Sequence, residues 1–368
     1  MNDFMKLLVF NDKKENMIDE LKKCDVPILL YGGGSYARDV LKYLDENGIS
    51  VEKIFADDVL PDIIRDYRVE RISVEEIDFN CVVVMGFAKY LLGQELANEN
   101  KNIIKVYYPV LMPYDEIAGY KKESVLNLIP EYQRTYELLE DDFSRECMVA
   151  FLNSRINEDA SFCFPCYERE QTYFDNSVFS ATPEENYLDI GAYTGDTIRL
   201  YVSGLSSCPV GHIWAIEADD SMKPFIDKSI KECGVSEITE VYYTGLWNEK
   251  KTIYFSRSEY SDEEGFVTEN GDKNAYGMNV DTLDSVLQNR KQEVSLLKVN
   301  FCDAEKILEG GVELIKKDLP KLAIVVAFGS EMIARIPAMI KKICPRYRVY
   351  LRFNSPMPAR IVCYAVCG

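Results

Sequence analysis

The stretch NYLDIGAYTGDTI, Asn186 to Ile198, constrains the fold more than any other part of the chain. A short apolar run carrying Asp189 leads into a turn with two glycines, Gly191 and Gly195, and the residues after it have helical spacing. The order is strand, turn, helix, in which the amides opening the helix face a ligand. A helix leaving a buried strand in this way is the crossover of a parallel α/β sheet.

The rest of the chain agrees. From Tyr187 onward, strands are predicted at YLDI, IWAIEA, VYYTGLW, LLKVNF, LAIVVAF, RVYLRF and RIVCYAVC, with helices between most of them. NSPMPAR joins the last two without a helix, so they should pair as an antiparallel hairpin. The stretch from Thr252 to Val286 carries short strand signals and an acidic, polar loop. This is the layout of a seven-stranded nucleotide-type sheet over residues 183–368. A smaller α/β unit is expected over 1–115, with strands at VPILLYGGG, VEKIFADD, CVVVMGFA and NIIKVYYPVL and a helix over Ser35–Asn47 that turns Ala37, Val40, Leu41 and Leu44 to one face. Between them, 116–182 is helical and charged and reads as a connector of two helices interrupted at Pro130. The fold class is α/β, with two Rossmann-like domains.

Charge narrows the partners. With 61 acidic against 42 basic residues the formal charge is −19, and neither nucleic acid nor an anionic membrane surface is expected to bind a chain without a basic field. No run of about twenty apolar residues occurs, and the N-terminal residues lack a signal-peptide pattern. A cytoplasmic protein without membrane insertion is expected, and its composition is compatible with a homo-oligomer. The eleven cysteines are odd in number and scattered, often inside apolar runs, so most are expected to be buried thiols. Cys163 and Cys166 have metal or redox spacing, yet no second pair accompanies them and the single histidine, His212, reads as a loop residue before a strand. No metal is expected.

Gly191 and Gly195 allow close approach of a ligand, and the helix start favours a carboxylate or phosphate. Asp189 and Asp196 place negative charge where phosphates would sit, and they suit a ligand that carries a cation. Glu217 ends the second strand, where a carboxylate accepts both ribose hydroxyls of an adenosine. Adenosine joined to a positive group describes S-adenosylmethionine. DIGAYTGD lacks the G-x-G-x-x-G of a dinucleotide site. In the first domain, Gly32, Gly34 and Ala37 do fit that form, with Asp57 and Asp58 ending the next strand, so a second nucleotide site stands beside the plain reading of a tight turn with no ligand.

The second domain resembles the FkbM-type S-adenosylmethionine-dependent methyltransferases. YLDIGAYTGDT, IWAIEADD, GLWNEKKTIYF, NVDTLDSV, LLKVN with AEKILEGG, and PKLAIVV with YRVYLRFNS follow the family's order over roughly residues 140 to 368. The resemblance implies a class I methyltransferase sheet with a terminal antiparallel hairpin. It also implies a cofactor site formed by Asp189, Gly191, Ala192, Tyr193, Thr194, Gly195 and Asp196 around the methionine part, Glu217 at the ribose, Asp219 beside it, and Leu246, Trp247 and Asn248 near the adenine. Family members usually methylate a hydroxyl on a sugar or another small natural product. The first domain resembles the nucleotide-binding-like domain attached to some of these proteins and to sugar acyltransferases, where a nucleotide-linked sugar is expected.

The acceptor side departs from the family. Its K-x-D-x-E-G-A-E segment is here Lys298 to Glu305, with Asn300, Cys302 and Asp303 at the altered positions, and its Tyr-His pair after the fifth strand is replaced by Phe328 and Gly329. Asn300 is neutral and is no base; Asp303 or Glu305 can take that role. The expected activity is O-methylation of a sugar, glycan precursor or other small hydroxylated metabolite. The alternative is a catalytically degenerate fold that binds cofactor or sugar as an interaction module. An NAD oxidoreductase using the first glycine turn has no catalytic acid or base in a convincing setting.

Overall fold

Short apolar runs become the buried strands of two separate, mostly parallel sheets. The computed structural model describes residues 4–10, 17–56, 63–64, 67–70, 76–86, 90–110, 122–167, 173–174, 176–257, 265–268, 275–354 and 361–368. Its backbone divides into two units, Met1–Ile129 with Glu146–Glu168 and Ser355–Arg360, and Pro130–Arg145 with Arg169–Asn354 and Ile361–Gly368.

In the first unit, α1 (Met17–Lys22) precedes β1 (Ile28–Tyr31), α2 (Ser35–Glu46), β2 (Lys53–Phe55), β3 (Ile63–Ile64), β4 (Tyr67–Glu70), β5 (Cys81–Met85), α3 (Tyr90–Glu99) and β6 (Ile103–Tyr107). The sheet order is β3-β4-β2-β1-β5-β6, parallel throughout except that β3 runs against β4. Strand β1 shows why the run ILLY is uniformly apolar. Leu30 packs with Ala37, Val40, Leu41 and Leu44 of α2, while Leu29 and Tyr31 pack with Phe55, Val83 and Leu96 on the other face. A central parallel strand is covered on both sides. The β3–β4 hairpin escaped the sequence reading because IIRDYRVE is short and rich in charge.

The segment expected as a connector does not form a body of its own. Among its described residues are α4 (Lys122–Asn127), α5 (Ile129–Leu138), α6 (Asp142–Ile156) and a 3-10 helix (Ala160–Cys166). Pro130 lies in the first turn of α5, where a missing N–H costs nothing. The unforeseen break before α6 comes from Glu140, whose N–H is drawn to the Val349 carbonyl at 3.0 Å, and from Asp141, whose carboxylate caps the next helix at Ser144 N, 2.8 Å away. Helix α5 joins the second unit through Tyr132 Oη on the Ser330 carbonyl and Thr135 Oγ1 on the Ala334 carbonyl, both 2.8 Å. The later part of α6 joins the first, where Asn153 Oδ1 accepts from Val9 N at 2.8 Å.

The second unit contains β7 (Tyr187–Ile190), α7 (Asp196–Gly204), β8 (Ile213–Glu217), α8 (Lys223–Glu232), β9 (Thr239–Tyr243), β10 (Gly245–Trp247), β11 (Lys251–Arg257), β12 (Gly265–Thr268), β13 (Ala275–Thr282) and α9 (Leu283–Val286). It continues with β14 (Leu296–Val299), α10 (Ala304–Glu309), α11 (Val312–Asp318), β15 (Lys321–Val325), α12 (Met332–Ile343), β16 (Tyr347–Phe353) and β17 (Ile361–Cys367). Seven strands are ordered β16-β17-β15-β14-β7-β8-β9, and only β17 runs against its neighbours. This is the predicted sheet with its terminal antiparallel hairpin. β7 and β14 are buried along their whole length and lie side by side at its centre.

VYYTGLW, expected as one strand, is two. The chain leaves the main sheet at Thr244, and β10 pairs with β13 in a second sheet ordered β10-β13-β11-β12. Gly245 permits the switch, because a Cβ there would lie 2.6 Å from Val280 Cγ1 and 2.8 Å from Met278 Sδ. Among the described residues no helix is long and apolar enough to cross a membrane.

Candidate functional site

The first and second strands of the main sheet end together at the turn after β7. Gly191, Tyr193 and Gly195 all have positive φ, at 75°, 48° and 76°. At the two glycines the close packing explains the residue type as well. A Cβ on Gly191 would lie 2.7 Å from the Asn300 carbonyl oxygen, and one on Gly195 2.7 Å from Ser229 Cβ. Neighbouring elements hold the turn from outside. The N–H groups of Gly191 and Ala192 both donate to the Ile216 carbonyl of β8, at 3.0 and 3.2 Å. Ser229 of α8 donates to the Thr194 carbonyl at 2.6 Å. Gly195 caps α7 without a side chain, and Asp196 at the helix start is exposed.

Asp189 lies beneath the turn and is fully buried. Lys298, its neighbour in the β7–β14 register, places Nζ 2.9 Å from Asp189 Oδ1, and Thr197 Oγ1 hydrogen-bonds to Asp189 Oδ2. Burial pulls the Lys298 ammonium down, but Asp189, with Tyr173 and Asp196, outweighs it and holds the group above the usual lysine range. Lys298 and Thr197 were not singled out as site residues from the sequence. The available signal was a lysine inside the otherwise apolar strand LLKV, which no surface role explains.

Glu217 closes the other side. Its Oε2 accepts the Tyr193 N–H at 2.7 Å and its Oε1 the Asp219 N–H at 2.9 Å. Burial pushes this carboxyl up, against the lowering effect of the backbone donors at Asp219, Tyr193 and Ala218. Asp219 in turn accepts the Ser221 N–H at 2.9 Å and caps a short helical turn. Thus Asp189, Gly191, Ala192, Tyr193, Thr194, Gly195, Asp196, Glu217 and Asp219 form one contiguous group at the strand ends. Trp247 ends β10 in the second sheet and Asn248 follows it, and the chain entering β10 touches the site where the Thr244 N–H donates to the Glu217 carbonyl at 3.0 Å. Trp247 packs in a small core with Ile253 and Val280, and Asn248 donates to Glu309 Oε2 at 2.8 Å.

The acceptor-side residues follow β14. Asn300 N–H donates to the Ile190 carbonyl at 3.2 Å, and its own carbonyl meets Gly191, so this strand end adjoins the glycine turn. Asp303 leaves its helix uncapped and instead accepts the Cys302 thiol at 3.4 Å. Burial raises the Asp303 carboxyl; Cys302 and Lys306 oppose the rise and Glu331 adds to it. Glu305 is raised by burial too, with Arg335 opposing and Glu331 adding. Glu331, in electrostatic reach of both, was not foreseen; it follows the replaced Phe328–Gly329 pair at the end of β15.

The first unit has its own turn. Gly32 has φ 125° and donates to the Phe55 carbonyl at 2.8 Å. Gly34 opens α2 with nothing within 4 Å of where a Cβ would be. Ala37 packs on Gly86, whose Cβ would lie 2.9 Å from Ala37 Cβ. Asp57 and Asp58 lie outside the described residues. Cys163 and Cys166 sit on a short 3-10 helix, both buried. Among the described residues, no group of three or more His, Cys, Asp or Glu side chains is placed to hold a metal ion.

No family model matches the sequence, and no curated protein matches it. Among solved structures, the methyltransferase FkbM from Methylobacillus flagellatus KT is similar over 96% of this chain and 93% of its own, with TM-score 0.64 and 15% identity. The chain has the fold of that FkbM methyltransferase. Two other solved structures match only in part. A precorrin-6y C5,15-methyltransferase from Geobacter metallireducens GS-15 covers 50% of this chain and 80% of its own at TM-score 0.30 and 10% identity. Aeropyrum pernix fibrillarin with natively bound S-adenosyl-L-methionine covers 51% and 69% at TM-score 0.31 and 10% identity. The likeness to FkbM extends over both units.

Proposed function

We propose that the second unit binds S-adenosylmethionine in the cytoplasm and directs its methyl group to a hydroxyl of a small, sugar-like acceptor. The observation that carries this reading is the single edge formed by the Gly191–Gly195 turn, the start of α7 with no side-chain cap, and the Glu217 carboxylate. The residues fit the cofactor: helix amides suit its carboxylate, and Glu217 offers acceptors to ribose hydroxyls. When bound, it supplies a methyl group already activated on a sulfonium.

This chain must then align an acceptor oxygen and remove its proton. Asp303 is the proposed proton acceptor. It stands three residues beyond Asn300, whose backbone touches the cofactor turn, and its raised pKa makes it a stronger base than an exposed aspartate. Asn300 has no charge to contribute and is assigned to orienting the acceptor. The turn at Gly32 and Gly34 is proposed to receive a nucleotide or nucleotide-linked sugar, with the open space over Gly34 as its support.

A second reading, a binding module without turnover, is favoured by Glu217 already spending both oxygens on backbone amides. Calorimetric titration with S-adenosylhomocysteine separates the two, comparing wild type with Glu217→Ala. Saturable binding that the variant loses by about tenfold or more supports the cofactor site. Absence of binding in the wild type rejects it and leaves the module.

A further inference from the structure

We infer that Lys298 is a positioning residue that sets the Gly191 turn for the amino-acid end of the cofactor. This rests on the cofactor reading above. An ammonium has three donors and no acceptor, and all three of Lys298 have partners. Nζ lies 2.9 Å from Asp189 Oδ1, 2.9 Å from the Gly191 carbonyl oxygen and 3.4 Å from Thr197 Oγ1. With its side chain 1% exposed, Lys298 reaches no solvent-facing ligand. Thr197 bonds the other Asp189 oxygen, so the carboxylate that the sequence assigned to the ligand's cation is engaged on both oxygens by this chain.

Stability alone is a poor reason for this pair. A buried ion pair is commonly replaced by apolar side chains with little or no loss, because burying two charges cancels most of their attraction. β7 and β14 are already paired along their backbones at Asp189 and Lys298. An apolar pair would lack any donor for the Gly191 carbonyl. That carbonyl, turned inward onto Nζ at a residue with φ 75°, sets the direction in which the turn leaves the strand. Lys298 therefore links a central strand to the loop where the ligand's ammonium and carboxylate would be read, and Asp189 keeps Lys298 charged.

The test uses the full chain and two ligands that differ at one end. S-adenosylhomocysteine carries the amino acid, whereas 5′-methylthioadenosine has the adenosine and thioether without it. The double variant Lys298→Met with Asp189→Leu removes both charges together, and thermal unfolding checks that it folds. The expected result is at least about tenfold weaker binding of S-adenosylhomocysteine, with 5′-methylthioadenosine changed by less than about threefold. Unchanged S-adenosylhomocysteine binding in the double variant overturns the inference, as does an equal loss of both ligands. Wild type that binds neither ligand overturns the cofactor reading itself. If the double variant does not fold, Lys298→Arg carries the same comparison, since a planar fork cannot serve three acceptors gathered around one nitrogen.

Discussion

Each unit sets a glycine turn between a buried strand and a helix, and the two turns are held by different means. In the first unit the turn after β1 is held through backbone bonding and close packing of small residues. Gly32 supplies the positive φ, a backbone hydrogen bond from β2 fixes it, and Ala37 lets α2 settle against Gly86. In the second unit the turn after β7 is gripped by side chains from distant segments: Glu217 from β8, Ser229 from α8 and Lys298 from β14. Its glycines face backbone and side chains, whereas Gly34 faces open space. A turn of the first kind needs small residues at its close contacts. One of the second kind depends on the whole sheet being assembled, and such a turn presents groups in fixed directions.

Substitutions at the glycines sharpen this contrast most. Gly191→Ala should destabilise the protein by about 2–4 kcal/mol, through the left-handed backbone and the Asn300 carbonyl, and should abolish S-adenosylhomocysteine binding. Chemical denaturation with calorimetry reads both effects. A folded Gly191→Ala that binds normally would show that the second turn is no more constrained than the first. Gly32→Ala should cost about 1–2 kcal/mol from backbone strain and leave S-adenosylhomocysteine binding unchanged. Gly34→Ala should be silent in denaturation, within about 0.5 kcal/mol, because its backbone is extended and its surroundings open.

The smallest effect concerns Asp39 on α2. Burial lifts its carboxyl to about 6, despite Lys42 and Arg38 drawing it down. Its unfolded value is about 3.9, so between roughly pH 4 and 6 the folded state holds more protons than the unfolded one, and stability must fall as pH rises through that window. Asp39→Asn should flatten the slope and raise the midpoint at neutral pH by on the order of a degree or two. A slope unchanged in the variant would place the titrating group elsewhere.

How much could be seen in advance followed the range of the interactions. The central strands were plain because a strand covered on both faces must be apolar at successive positions, as ILLY and YLDI nearly are. Glu217 was legible too, since a carboxylate at the end of an apolar run marks a sheet edge. The β3–β4 hairpin and the departure of β10 into a second sheet were not. Their signals are short, and at Thr244 the deciding fact is the partner strand β13, which comes much later in the chain. Asp303 was nominated by its chemistry, but Glu331, which helps raise it, arrives from the next strand over.

By itself, the sequence determined the alternation of strand and helix, the positions that need glycine, and the acidic groups that a cationic, adenosine-like ligand would meet. These follow from local sterics and from periodic burial, and both act over a few residues. Tertiary structure decided what those groups do. Asp189 reads in the sequence as a ligand's counter-charge; in the fold it is the partner of a lysine 109 residues away, because only parallel pairing of β7 and β14 brings them together in a place without water. There an ion pair must satisfy every donor and acceptor within reach, and the carbonyl of Gly191 is one of them.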